Sequence, residues 1–171
     1  EGRITLYVQT IVSATGKISD KHECLVRLIE PDGKVISPFF FLDIAKKSKL
    51  YHKISQRVID CAFDALERLP NAHFSINLSP EDLMHQDTMG LLDARLSNRM
   101  LATRLVLEIV ESEEIEKFDE IAQRLKKLKE KGCKIAIDDF GTGYSNFAYL
   151  MRLNVDYIKV DGSLIRDIDT N

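Results

Sequence analysis

The sequence predicts an α/β fold of the TIM type, a β/α barrel that stops after about six strands and begins with an antiparallel strand. Short β-branched segments alternate with longer segments whose apolar residues recur at helical spacing. Polar side chains interrupt or follow the apolar strands, as they do at the mouth of such barrels. The 171 residues, 44% of them hydrophobic, suffice for one sizeable core, so we expect a single domain over residues 1–171.

Composition excludes several classes of protein. The net charge of −3 does not indicate a protein that binds DNA or RNA polymers. Cys24, Cys61 and Cys133 are odd in number and widely spaced in apolar stretches, which predicts reduced thiols in a cytoplasmic protein. No apolar run is long enough to span a bilayer, and the first residues lack the apolar core of a signal peptide. We therefore expect a cytoplasmic chain with no membrane segment, excised from a longer protein.

The first two predicted strands carry polar side chains on faces that should be apolar. Residues 4–12 alternate as a strand that places Gln9 among apolar side chains. Residues 23–29 form the second strand, with Glu23 and Arg27 on one face. Because buried charges are costly unless they are paired or bound to a metal, these two residues form either a salt bridge or part of a site.

Helices follow from capping residues and apolar spacing. Ser37 and Pro38 predict a helix start, and residues 52–69 predict a long amphipathic helix that ends at Pro70. Three consecutive phenylalanines at 39–41 are expected in the core, where phenylalanine is usually buried. The later helices are predicted at residues 89–100, 113–132 and 144–153.

Three later strands also deliver polar groups. The strand at 73–78 brings Asn77 to its carboxyl end, either as a site residue or as an asparagine that closes the loop. Glu108 interrupts an otherwise apolar strand, which is costly in a parallel strand buried on both faces and indicates a metal or substrate contact. Lys159 interrupts the strand at 157–161, where it either pairs with an acid or stabilises developing charge.

The most informative stretch is an apolar strand, residues 135–137, that runs directly into Asp138 and Asp139. Adjacent carboxylates repel each other unless a cation or proton intervenes, so the pair indicates a metal, although a polar strand end with an Asx turn is the alternative. Oxygen-only ligands suit magnesium or manganese and not zinc, and such sites often hold two ions and hydrolyse phosphate esters. The candidate ligands are Glu23, Asn77, Glu108, Asp138 and Asp139.

In this order and combination, the motifs resemble those of the EAL-type cyclic di-GMP phosphodiesterase domain of bacterial signalling proteins. The resemblance spans essentially all 171 residues. It implies two-metal hydrolysis of cyclic di-GMP to linear pGpG with Mg²⁺ or Mn²⁺. The motifs are Tyr-Val-Gln-Thr-Ile at 7–11, Glu-Cys-Leu-Val-Arg at 23–27, Asn-Leu-Ser at 77–79, Glu-Ile-Val-Glu at 108–111, Asp-Asp-Phe-Gly-Thr-Gly-Tyr-Ser at 138–145 and Lys-Val-Asp at 159–161.

The resemblance also implies individual roles. Asp139 would lie between the two ions, and Lys159 would orient the attacking water and offset charge, so that both would act in catalysis beside Glu23. Gln9 would line the site and Arg27 would grip a substrate phosphate. The residues that would hold the metals are Glu23, Asn77, Glu108, Asp138 and Asp139.

The same resemblance points to regulation. Glu111 would fix the loop that contains Thr142 and Gly143, a loop that takes part in dimer contacts and activation in this family, which implies a homodimer. Sensor, GGDEF or membrane domains would lie elsewhere in the full-length protein.

The chain departs from the family pattern in places. Cys24, Thr10 and Val110 replace an alanine, a proline and a threonine. The last two strands, with a further glutamate and glutamine, have no counterpart here, so we expect a domain that lacks its carboxyl-terminal strands. Two functions therefore stay open: an active phosphodiesterase, favoured by the intact site acids, and an inactive cyclic di-GMP receptor or regulatory protein-interaction module.

Overall fold

The computed structural model describes residues 2–110, 117–141 and 147–166, which form a curved sheet flanked by helices. The described strands form one seven-stranded sheet in the order β1-β2-β4-β5-β6-β7, with β3 paired to β2. β1 and β3 run antiparallel to β2, whereas all later neighbours are parallel. The strands are β1 Ile4–Val12, β2 Ile18–Ile29, β3 Val35–Ile36, β4 His73–Leu78, β5 Leu105–Val110, β6 Lys134–Phe140 and β7 Tyr157–Val160.

Helices connect the parallel strands, which confirms the predicted α/β class. The predicted helix at 89–100 is two helices, because the Asn98 side chain accepts a hydrogen bond from the backbone N–H of Met100 and so begins a new one. The helices are α1 Leu42–Lys47, α2 Tyr51–Arg68, α3 Pro80–Met84, α4 Gln86–Arg95, α5 Arg99–Ala102, α6 Phe118–Glu130, α7 Phe147–Leu153 and α8 Gly162–Ile165.

Two strands are longer than the sequence predicts. β2 begins at Ile18 because it continues pairing with β1 as far as the turn, where Val12 lies opposite Ile18. β6 does not stop before Asp138 but runs through both aspartates to Phe140. The added length keeps the two aspartates on the sheet, so their positions depend on pairing with the neighbouring strands.

The two faces of the sheet differ in chemistry. The convex face packs against the helices in one apolar core, in which Ile76, Leu107 and Ile135 are fully buried against Phe63 and Leu125. The concave face carries the intervening side chains of the same strands, and these are mostly polar. The alternation expected of strands thus separates a packing face from a polar face.

The sheet curves like part of a TIM barrel but does not close in the described part of the chain, where β1 and β7 are not paired with each other. The curvature is strong enough that Lys159 of β7 contacts Glu23 of β2, although β4, β5 and β6 lie between them. The first parallel strand and the last strand therefore face each other across the concave side.

One expectation about the core is wrong. Of the three phenylalanines at 39–41, only Phe41 is buried, whereas Phe39 and Phe40 project into solvent. A single-turn 3₁₀ helix, Pro38–Phe40, precedes α1, and its geometry turns consecutive side chains in different directions.

The cysteines and the membrane prediction can also be compared with the structure. Cys24 and Cys133 are buried free thiols, and burial raises the pKa of each to about 12, while Cys61 is partly buried. Over the residues that the structure describes, no helix combines the length and the apolar character needed to cross a bilayer.

Candidate active site

The centre of the concave face is a lysine held by three carboxylates. The ammonium Nζ of Lys159 donates to Glu108 Oε2 at 2.7 Å, to Asp138 Oδ2 at 2.8 Å and to Glu23 Oε2 at 3.1 Å. One oxygen of each carboxylate lies within 4.8 Å of the others. Four residues from four strands, each predicted from sequence as a site residue, therefore meet at one point.

Strand register explains why they meet. Asn77 lies opposite Glu108 in the β4–β5 pair, and Val110 lies opposite Asp138 in the β5–β6 pair. Parallel neighbours in register present these side chains on the same face and toward the same end of the sheet. Asn77 joins the cluster because its side-chain amide donates to Glu23 Oε1 at 3.4 Å.

The segment after Asn77 is held by a capping box. Ser79 caps α3 by accepting a hydrogen bond from the backbone N–H of Asp82 at 3.1 Å. The buried Asp82 carboxylate in turn accepts hydrogen bonds from the backbone N–H and the hydroxyl of Ser79, each at 3.0 Å. The backbone N–H groups of Ser79 and Asp82 thus each have a side-chain acceptor. These hydrogen bonds fix the turn that follows Asn77 at the end of β4.

Burial and the neighbouring charges shift the pKa values of the cluster in opposite directions. Glu108 is only 2% exposed, and its desolvation raises the pKa of its carboxyl, although the hydrogen bond from Lys159 opposes this. Burial alone would lower the pKa of Lys159, but hydrogen bonds to Asp138 and Glu108 outweigh it and raise that pKa. The lysine is therefore charged, and it neutralises only part of the acidic cluster.

The donor set fits a divalent cation. When ionised, the three carboxylates carry one negative charge each, and the ammonium of Lys159 offsets one of them. The remaining charge matches a divalent ion, and the ligand atoms are carboxylate and amide oxygens. Such ligands suit hard cations of the magnesium type.

Asp139 lies beside this cluster on a β-bulge. The pairing of β6 with β7 shifts register between Ile137 and Phe140, and Asp139 adopts a φ of 56°. Aspartate tolerates this left-handed conformation better than most residues. Its backbone N–H donates to Asp138 Oδ1 at 3.0 Å, and burial followed by the charges of Asp138 and Asp161 raises the pKa of its carboxyl. Asp139 is exposed, and it is not one of the three carboxylates whose oxygens lie within 4.8 Å of one another.

The two predicted substrate-binding residues lie on the first hairpin. Gln9 lies opposite Glu23 in the β1–β2 register, so the two side chains share a face. Arg27 donates to the carbonyl of Val26 at 2.8 Å, and its guanidinium carbon lies 5.8 Å from the ring centroid of Tyr7. No Glu23–Arg27 ion pair is found in the described ranges, so the salt-bridge alternative is wrong.

Other predicted residues cannot be placed. Glu111, Thr142 and Gly143 lie outside the described residues. Gly141, just before the second gap, has a φ of 102°, and a Cβ built on it would lie 1.9 Å from Leu164 Cδ1. The positive φ therefore favours a glycine where the chain leaves β6 beside Leu164 of α8.

The site opens into a cavity of about 340 Å³ on the concave face. Ser75, which was not predicted, lines it beside Glu108; the polar alternation of Ser75 and Asn77 along β4 is the sequence signal that could have identified it. The opposite end of the cavity is basic, with Lys134 Nζ 2.9 Å from the hydroxyl of Tyr157.

The chain is similar to known proteins in sequence. The sequence profile of the EAL domain matches residues 1–171. The cyclic di-GMP phosphodiesterase PdeF of Escherichia coli K12 is 34% identical over 171 residues, which cover 97% of this chain and 23% of that protein. The chain thus spans about a quarter of the length of this curated relative.

Two solved structures are also similar. The EAL domain protein from Listeria monocytogenes EGD-e has a TM-score of 0.86 at 30% identity, over 99% of this chain and 68% of that one. BlrP1 of Klebsiella pneumoniae, in a complex with calcium and cyclic di-GMP, has a TM-score of 0.78 at 34% identity, over 97% of this chain and 42% of that one. The profile match over residues 1–171, the sequence identities and the structural similarity agree, and the chain belongs to the EAL domain family.

Proposed function

We propose that this chain hydrolyses cyclic di-GMP to linear pGpG, using two divalent ions, Mg²⁺ or Mn²⁺. The observation that carries the proposal is the oxygen-only cluster of Glu23, Glu108 and Asp138 around Lys159, in a chain of the EAL domain family. Relatives that share a third of its residues are named cyclic di-GMP phosphodiesterases.

Five oxygen-bearing residues would hold the ions. When bound, such ions polarise a phosphate oxygen and lower the pKa of a water molecule so that it can attack at neutral pH. Asp139, which follows Asp138 directly in the chain, would help to hold the second ion. The proposed ligands are Glu23, Asn77, Glu108, Asp138 and Asp139.

Lys159 would orient the attacking water and offset negative charge on the phosphate. Its ammonium is fixed by three carboxylates, so it is already oriented before the reaction begins. Water adds to phosphorus and one ester P–O bond breaks, which leaves a terminal phosphate and a free sugar hydroxyl. Arg27 would hold a substrate phosphate through its planar guanidinium, and Gln9 would contact the ligand beside Glu23.

The remaining expectations are part of the same proposal. Glu111 would fix the segment that contains Thr142 and Gly143 and so couple the site to a homodimer contact. The protein would act in the cytoplasm, as one domain over residues 1–171 of a longer signalling protein with sensor, GGDEF or membrane domains.

The test is turnover of cyclic di-GMP with Mg²⁺, with Mn²⁺ and with a chelator, by this chain and by a version extended at its carboxyl end. Formation of linear pGpG that requires the cation supports the proposal. Glu23→Ala should abolish it, whereas Glu130→Ala, at an exposed glutamate of α6, should not. Tight binding of cyclic di-GMP without cleavage in either version would instead assign the chain as a receptor.

A further inference from the structure

A surface around the 3₁₀ helix and α1 combines exposed apolar and basic side chains. We call it the aromatic-lysine patch. Phe39 is 84% exposed, Phe40 is 67% exposed and Ile44 is 64% exposed, and the two rings meet edge to face with centroids 5.4 Å apart. The patch consists of Phe39, Phe40, Ile44 and Leu50 with the exposed lysines Lys46, Lys47, Lys49 and Lys53.

The backbone of this segment determines that the apolar side chains of the patch are exposed. Phe41 and Ala45, one helical turn apart, are buried and anchor the segment. Phe40 and Ile44 have the same spacing on the opposite side, so anchoring one pair directs the other pair outward. The end of α1 is closed by a hydrogen bond from the Leu50 N–H to the Ala45 carbonyl at 2.8 Å. The apolar side chains are therefore presented on a fixed backbone.

The charge of the patch opposes that of the whole chain. Residues 39–53 contain four lysines and one acid, Asp43, whereas the chain has a net charge of −3. Within the described ranges none of the four lysines has a carboxylate partner; Lys46 instead lies over the ring of Tyr51, 5.2 Å from its centroid. The cations are thus available to an external anion.

We propose that the aromatic-lysine patch docks this chain on the surface of an anionic lipid bilayer. Exposed aromatic and aliphatic side chains can enter the boundary between headgroups and acyl chains, while flanking lysines reach the lipid phosphates. A protein partner fits less well, because lysine is depleted and arginine enriched in protein interfaces. The stretch 39–53 has four lysines and no arginine or tryptophan.

The patch adjoins the candidate active site. Pro38, Leu42 and Lys46 line a cavity of about 410 Å³ together with Asn77 and Ser79. Docking through Phe39 and Phe40 would therefore hold the end of β4, with Asn77, near the bilayer. The inference does not depend on hydrolysis, since it concerns a surface outside the acidic cluster.

The test is co-sedimentation of this 171-residue chain with vesicles of phosphatidylcholine alone and of phosphatidylcholine mixed with phosphatidylglycerol. We expect binding only to the mixed vesicles, and weaker binding at raised ionic strength. Phe39→Ser with Phe40→Ser, and separately Lys47→Glu with Lys53→Glu, should each lower the vesicle-bound fraction about tenfold or more.

Matched controls make the same chemical changes elsewhere. Lys126→Glu with Lys127→Glu alters the charge equally on the exposed face of α6, and Met100→Ser removes another exposed apolar side chain. Both controls should bind as the unaltered chain does, and unchanged urea midpoints would show that every variant folds.

The proposal would be overturned by no binding to mixed vesicles, by equal binding to neutral and mixed vesicles, or by equal loss in the controls. Conversion of a dimer to a monomer by the phenylalanine variants, without vesicle binding by the unaltered chain, would also overturn it and assign the patch to a second copy.

Discussion

Two neighbouring residues of β5 are almost equally buried but have different roles in the protein. Leu107 is 0% exposed and Glu108 is 2% exposed, yet the first packs among apolar side chains while the second belongs to a charged cluster. The difference follows from the two faces of the sheet, of which one is covered by helices and the other is concave. The exposed fraction of a side chain therefore does not distinguish residues that stabilise the fold from residues that belong to the candidate site.

The largest expected effect on stability comes from the packing face. Leu107→Ala should lower the free energy of unfolding by about 2–5 kcal/mol, because it removes a fully buried side chain and leaves a cavity. Urea denaturation measures the loss. An unchanged midpoint would show that the convex face is not the stabilising one.

The matching change on the concave face should affect chemistry instead. Glu108→Gln keeps the shape of the side chain but removes a charged ligand, and we expect turnover to fall by a factor of about 100 or more. The Glu108→Gln variant should still fold. The exposed Glu130→Gln serves as the control, and if Glu108→Gln unfolds the chain as readily as Leu107→Ala, the separation of the two faces fails.

Cation binding should stabilise the concave face without altering the core. At a hundredfold excess over Kd, Mg²⁺ or Mn²⁺ should add about 2.7 kcal/mol of stability, seen as a rise in Tm that a chelator reverses. Asp138→Asn should abolish the rise, whereas Leu107→Ala should lower Tm but leave the rise intact. A cation effect that persists in Asp138→Asn would place the ion elsewhere.

The smallest expected effect is a pH dependence of stability that arises from Glu108 on the concave face and not from the apolar core. Because desolvation raises the pKa of Glu108 in the folded chain, the folded state binds that proton more tightly than the unfolded state. The contribution of Glu108 to the free energy of unfolding is present below its ordinary pKa of 4.5. It is lost as pH rises through the raised pKa of the folded chain.

Glu108→Gln should therefore show a flatter dependence of the urea midpoint on pH between 4.5 and the raised pKa of Glu108, in buffer with a chelator. Near neutral pH it should be at least as stable as the unaltered chain. A variant that is less stable at neutral pH would show that the contact with Lys159 outweighs desolvation.

Much of the fold could be predicted because its signals are local. The bounds of β1 and β4 agree with the sequence prediction, since alternation is visible within a few residues. Glu108 and Lys159 were recognisable as charges in otherwise apolar strands. Pairing of Lys159 with an acid was one of the two predicted alternatives. Which acids it contacts was not predictable from spacing, because that depends on how strongly the sheet curves.

Other features have no local signal. Hydrophobicity alone could not show which of three consecutive phenylalanines would face the core, and only Phe41 does. The bulge at Asp139 depends on a register shift against β7, which alternation within β6 does not reveal. Such features arise from pairing between distant segments, and the family resemblance was needed to identify cyclic di-GMP.

The contact between Lys159 and Glu23 has a consequence for folding. These residues are 136 positions apart, and β4, β5 and β6 must assemble between their strands before the side chains can meet. Contacts of such long range form late, because the entropy lost in closing the intervening chain is recovered only when the sheet is nearly complete. During synthesis Lys159 can therefore join the three carboxylates only once β7 has been made, so the contact between Lys159 and Glu23 would report the assembly of the whole described sheet.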